Sequence, residues 1–179
     1  MSSATTRYVA LLRGINVGKA KQVDMPRLRA VLTARGHGDV RTHLRSGNVV
    51  LDSPLGEADL AADVTKAIDE EFGMDVPVVV RSAAQLSAVV AADPLGSRVT
   101  DPSRYSVTFL PEPPASTLVA ALPPADGGEY RVHGRELYLW LPDGMMKSPM
   151  GTWKWGRLLG VVGTNRNWNT VTRLAELAG

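Results

Sequence analysis

The apolar run Tyr8-Val9-Ala10-Leu11-Leu12 has the length and continuity of a buried strand. Met25, Leu28, Val31 and Leu32 then recur at helical spacing. Asp24 precedes them as a cap, Pro26 sits in the first turn, and Gly36 and Gly38 stop the helix. Val40, Thr42 and Leu44 alternate with Arg41, His43 and Arg45, which predicts a half-buried strand. Ser46-Gly47 reads as a turn and Asn48–Leu51 as the returning strand of a hairpin. Leu60, Val64, Ala67, Ile68 and Phe72 mark an amphipathic helix ended by Gly73, and Val76–Val80 a further strand. The order is β-α-β-β-α-β, the split βαβ or ferredoxin-like unit.

The second half repeats these periods less regularly. Ser82 caps a helix through Leu86, Val89 and Val90 that Asp93-Pro94 ends. Tyr105–Leu110 is a strand, Pro111, Pro113 and Pro114 a stiff connector, and Ser116–Leu122 a short helix. Tyr130–Val132 and Leu137–Leu141 form a hairpin around Gly134. Ser148-Pro149 opens a helix through Leu158 and Leu159, and Asn169 or Thr170 caps a last helix containing Val171, Leu174 and Leu177. The expectation is an α+β chain of two ferredoxin-like (split βαβ) subdomains with antiparallel sheets. They would span residues 1–81 and 82–179, with the boundary near 81–100. No internal repeat is strong enough to prove duplication.

Length allows one substantial core or two small ones, at 179 residues and 19.2 kDa. Cysteine is absent, which excludes a disulfide framework, a thiol nucleophile and a thiolate metal site. No apolar run approaches the roughly 18 residues of a membrane span, and Met1–Arg7 lacks a signal core, so no membrane association and a cytoplasmic location are expected. No cofactor and no metal are expected, because no His/Asp/Glu group has ligand spacing. The net charge of +2 hides a strong asymmetry: residues 1–53 carry +6, residues 54–146 carry −8 and residues 147–179 carry +4. Two basic ends that met in the fold would attract anions; the bland reading is mutual neutralisation across an ordinary surface.

Three segments carry candidate chemistry. The loop Arg13-Gly14-Ile15-Asn16-Val17-Gly18-Lys19-Ala20-Lys21 lies between a strand and a helix, where anion-binding loops occur. It is not a Walker A loop: its glycine spacing is one residue short, and Ala20 stands where a Ser or Thr is needed. Backbone amides with Arg13, Lys19 and Lys21 would hold an anion, against the bland reading of a flexible basic connection. In the hairpin, Arg41, His43 and Arg45 form a basic stripe, but Asn48–Leu51 has no aromatic residue, which speaks against an RNA-recognition face. Ser46-Gly47-Asn48 also suits a plain turn. Near the end, Arg166-Asn167-Trp168-Asn169 gathers polar side chains around one aromatic. Packing and capping explain Trp168 and Asn169 but not Arg166 and Asn167.

Tyr8–Gly18, Met25 and Leu28, Ser46–Val50 and Arg166–Val171 together resemble the domain of unknown function 1697 family of bacterial proteins. The resemblance spans nearly the whole chain. It implies an α+β protein of ferredoxin-like units and no established activity, so it carries over no catalytic residue. Family members often have a second Gly after Asn-Val-Gly, where this chain has Lys19.

The expected function is a cytoplasmic binding protein for a phosphorylated or otherwise anionic ligand, or nucleic acid, at a cleft between the subdomains. The expected ligand-binding residues are Arg13, Gly14, Asn16, Gly18, Lys19, Ser46, Asn48, Arg166, Asn167, Trp168 and Asn169. Arg13 and Arg166 would grip the anion, Asn16, Asn48 and Asn167 would read polar edges, and Trp168 would pack or stack. The alternative is an enzyme using the same cleft, with Ser46 or His43 recruited; a third is a structural or interaction module. Oligomeric state is not legible.

Overall fold

The continuous apolar run at the N-terminal end becomes the central strand of a sheet buried on both faces. In the computed structural model, which describes residues 3–179, the chain divides into two compact units. The first runs to Ala88 and takes in Leu174–Gly179; the second is Val89–Arg173.

The first unit contains β1 (Thr6–Leu12), α1 (Met25–Ala34), β2 (Gly38–His43), β3 (Asn48–Ser53), α2 (Glu57–Phe72) and β4 (Val78–Ser82). Its sheet order is β2-β3-β1-β4, every neighbour antiparallel. Local chemistry sets the helix ends. The Asp24 carboxylate accepts from Arg27 N, and Pro26 supplies a helical φ in the first turn. Gly73 closes α2 in the left-handed region, its N–H donating to Asp69 O. Ser82 and Gln85 cap α3 (Ala83–Ala92) reciprocally, each side chain accepting from the other's backbone N–H.

Tyr8, Ala10, Leu12, Val49, Leu51 and Val80 pack beneath Leu28, Leu32, Leu60, Val64 and Ile68 of the two helices. Val9, Leu11, Val50, Val79 and Arg81 point the other way and are buried as well. This double burial explains why Tyr8–Leu12 reads as a continuous apolar run. It also closes the sheet face that RNA-recognition domains leave open.

The second unit contains β5 (Tyr105–Phe109), α4 (Ser116–Ala120), β6 (Glu129–His133), β7 (Glu136–Trp140), α5 (Pro149–Thr152), α6 (Trp155–Leu159) and β8 (Thr164–Asn167), followed by α7 (Trp168–Ala178). Its order, β6-β7-β5-β8, repeats that of the first sheet strand for strand. Leu110, Leu137, Leu139, Leu141, Met150 and Leu159 form its core. The α+β class with two antiparallel sheets is as expected.

Four local expectations are corrected. β2 ends at His43: Leu44 turns out of the sheet at φ +63° and is exposed, so the alternation does not reach Arg45. β4 starts at Val78, although Val76 is fully buried. The helix expected from Ser148 to Leu159 is two short pieces: Trp153 and Lys154 have ψ of 141° and 70°, and the Trp155 indole donates back to Met150 O. Thr164–Asn167 is a strand, and Asn167 rather than Asn169 or Thr170 caps α7, its Oδ1 accepting from Thr170 N at 3.0 Å. Among the described residues, no helix is long and apolar enough to cross a membrane.

One partly buried ion cluster ties the end of α1 to α2. Asp63 accepts from Arg35 Nη2 at 2.6 Å and lies 2.8 Å from His37 Nε2, while Arg35 Nη1 reaches Glu70 at 3.0 Å. The Arg35 hydrogen bond, aided by His37, holds the Asp63 carboxyl below the usual carboxylate range. A depressed folded value adds stability above the unfolded value of about 3.9, and that stability is lost as pH falls through the lower folded value. Asp63→Asn is therefore expected to cost about 1–3 kcal/mol at pH 7. Urea unfolding at pH 7 and below pH 3 checks this; the gap between variant and parent should close at the acid end.

Candidate functional site

The chain leaves β1 beside the β2–β3 turn. Leu11 pairs with Asn48, and Leu12 N donates to Gly47 O at 2.8 Å. Continuing that register sets Arg13 opposite Ser46. The Arg13 N–H donates to Pro77 O at 3.0 Å, which fixes the loop's root against the approach to β4.

From there the loop is shaped by left-handed residues and one amide. Gly14, Asn16, Gly18 and Lys21 have φ of +71°, +53°, +62° and +48°. Ile15 is buried and joins the core. The Asn16 side chain donates to Val23 O at 3.1 Å and to Arg45 O at 2.7 Å, and accepts from Val23 N at 2.9 Å. It closes the loop on itself and ties it to the turn. Its two amide hydrogens are thereby occupied, so Asn16 frames the site instead of presenting a free donor. Asn48 plays a similar part: it is fully buried, and its amide donates to His43 O and Ser46 Oγ.

Gly47 allows the two loops to meet. At φ +93° a Cβ there would lie 2.7 Å from Ile15 Cδ1 and 2.8 Å from Leu12 Cβ. Only a residue without a side chain fits this approach.

The outer surface of this end is cationic. Lys21 Nζ donates to Asp75 O and Arg45 Nη2 to Gln22 Oε1, while the Arg13 and Lys19 side chains have no protein partner among the described residues. None of these four cations pairs with a carboxylate. Elsewhere in the unit Arg7, Arg27, Arg35, Arg41 and Arg81 all do. The backbone N–H groups of Gly14, Ile15, Val17, Gly18 and Lys19 are also without a protein acceptor among the described residues. Unpaired amides beside unpaired cations suit an anion.

The other candidate segment belongs to the second unit. Arg166 sits in β8 opposite Val107, is largely buried, and donates to Asn165 O at 2.9 Å. Burial lowers its pKa to about 10, so it stays charged at neutral pH. Asn167 is exposed and caps α7, Trp168 packs on Tyr105 at 4.8 Å between ring centres, and Asn169 is exposed on the first turn. Among the described residues, no group of three His, Asp or Glu side chains could hold a metal ion.

Two residues of the first-unit end escaped the sequence reading. Gln22 falls between the Arg13–Lys21 loop and the Asp24 cap, and the alternation places Arg45 in a strand. The signal available was the short polar gap between Lys21 and the Asp24 cap, which leaves Gln22 no regular element to join.

Fold and site together define an α+β protein of two split βαβ units with a basic loop end on the first. The family model described as protein of unknown function (DUF1697) matches residues 5–138, and the chain belongs to that family. Among solved structures it is similar to a conserved bacterial protein from Streptococcus pneumoniae. The two share 22% identity with a TM-score of 0.79, over 98% of this chain and 100% of that one. At that identity the likeness speaks for the fold alone. No curated protein matches.

The frame yields a stability test. Gly47→Ala forces both a disfavoured φ and a clash, and Asn16→Ala removes three hydrogen bonds. Each is expected to cost about 1–3 kcal/mol, read as a lowered urea midpoint with an unchanged slope.

Proposed function

We propose that the loop end of the first unit binds a phosphorylated or otherwise anionic ligand, a small molecule or nucleic acid, in the bacterial cytoplasm. The observation that carries this is the pairing pattern. Arg13, Lys19, Lys21 and Arg45 lie on or beside one loop without a carboxylate partner, and the same loop carries backbone amides without an acceptor among the described residues; Arg29, the other arginine of the unit with no acid, is held instead by Thr42 Oγ1. Arg13 offers a planar fork suited to two phosphate oxygens, and Lys19 a mobile point charge. Gly14 and Gly18, at φ of +71° and +62° and facing open space, hold the loop in the left-handed turns that leave those backbone N–H groups unpaired. Asn16, Ser46 and Asn48 hold the frame. Arg166, Asn167, Trp168 and Asn169 keep the packing and capping roles they have in the second unit.

The test is a thermal-shift and titration series with inorganic phosphate, ribose 5-phosphate and a short single-stranded oligonucleotide, at low and high salt. A hit is expected that weakens as salt rises, because exposed charges are screened beyond about 10 Å at 0.1 M. The Arg13→Ala/Lys19→Ala variant should keep its unfolding midpoint and lose at least about tenfold in affinity, since hydrogen bonds to charged groups are worth about 1.5–3 kcal/mol. Unchanged binding by that variant would sink the proposal.

A further inference from the structure

Beside the loop end lies a hollow of about 440 Å³, lined by Gln22, Val23, Asp24, Met25, Pro26 and Arg45. That is within the roughly 300–1,000 Å³ typical of small-molecule sites. Val23 and Met25 also pack on the core, so this wall is firm. The polar wall is tied to the cationic loop. Arg45 Nη2 donates to Gln22 Oε1 at 3.2 Å, and Gln22 Nε2 donates to Gly18 O at 2.8 Å, next to Lys19. Three other hollows offer less: the one on α2 sets two carboxylates, Asp69 and Asp75, against Lys66, the one lined by Pro113, Pro114 and Val119 holds no charge, and the one lined by Arg104, Asn165 and Asn167 measures only about 100 Å³.

We infer that this hollow takes the base of a nucleotide whose phosphate sits at the Arg13–Lys19 loop; the inference rests on the anion reading above. Arg45 has no carboxylate partner, and its guanidinium, steadied by Gln22, offers a flat cation on which a planar ring stacks. Val23, Met25 and Pro26 supply the apolar contact for the ring, and Gln22 and Asp24 supply polar groups for its edge. An aliphatic body would strip water from Arg45, Gln22 and Asp24 and return no hydrogen bond. A long nucleic acid is disfavoured here. The loop end from Arg13 to Arg45 presents no aromatic residue on its two loops, and the Val9, Leu11 and Val50 face is buried.

The experiment compares adenosine and uridine 5′-monophosphates with ribose 5-phosphate, inorganic phosphate and a short single-stranded oligonucleotide, on the parent protein and on Arg45→Lys. Arg45 is exposed, so the variant should fold, which its unfolding midpoint verifies. The expected result is that at least one nucleotide binds about tenfold tighter than ribose 5-phosphate. Arg45→Lys, which keeps the charge and loses the plane, should abolish that gain, read as a ratio of nucleotide to ribose 5-phosphate affinity that falls to about one. Equal affinity for nucleotide and ribose 5-phosphate, or a gain that survives Arg45→Lys, overturns this inference and leaves the anion reading standing. Preference for the oligonucleotide overturns it in favour of a polymer. If none of the phosphate compounds binds, both readings fall.

Discussion

The contact between the Gly47 backbone and the side chains of Leu12 and Ile15 sets the shape of the loop end. It brings the β2–β3 turn against the exit of β1 more closely than any residue with a Cβ would allow. Leu12 N then reaches Gly47 O, and Asn16 reaches Arg45 O across the same seam. The loop is therefore anchored at its root by sheet pairing, at its middle by the buried Ile15, and at its far side by the Asn16–Val23 bonds. Among the described residues five other than glycine have positive φ, and Asn16, Lys21 and Leu44 are three of them. Each costs on the order of 1 kcal/mol relative to a right-handed backbone. That strain is concentrated on one end of one sheet, where the surrounding bonds are numerous enough to hold it.

Charge is distributed by the same logic. The first 53 residues carry a large positive excess, yet most arginines of the first unit are absorbed into ion pairs with α2, β2 and β3. The Asp63 cluster, with Arg35 and His37, shows what a structural arginine looks like here: two-thirds or more shielded, hydrogen-bonded more than once, and next to a carboxylate held in its charged form. Arg13, Lys19 and Arg45 have no carboxylate beside them, and Lys19 and Arg45 are exposed. Surface cations without partners are common enough to be uninformative singly. Their gathering on strained, anchored backbone is what gives the end its chemical character.

The sequence made the regular parts of the first unit legible because propensity, capping and burial agree there. Asp24 with Pro26, Gly73, and the Ser82–Gln85 box each act locally, so their effect is written in a few adjacent residues. The errors fall where tertiary contact overrides local pattern. Leu44 has the spacing of a strand residue, but the turn needs it left-handed, so it is exposed. Thr164-Asn165-Arg166-Asn167 has no apolar alternation to mark a strand, yet it pairs with β5 along its whole length. The break between α5 and α6 falls at Trp153 and Lys154, where the Trp155 indole donates back to Met150 O, and such a contact leaves no periodic trace. At the site, the residue types were legible and their roles were not. Asn16 and Asn48 drew attention as polar groups, but whether an amide is free depends on carbonyls elsewhere along the chain.

Two sheets with the same strand order show how little topology says about use. In the first unit, α1 and α2 are continuous helices over one sheet face, and the loop after the first strand carries the unpaired cations. In the second, the helix before the last strand is split in two, and the loop after the first strand is the proline-rich connector from Pro111 to Pro114. The positions equivalent to Arg13–Lys21 there hold one acid, Glu112, and no cation. A split βαβ frame offers the same loop in both places, so an anion-binding role cannot come from the frame. It comes from side chains and backbone conformation that one copy has and the other lacks.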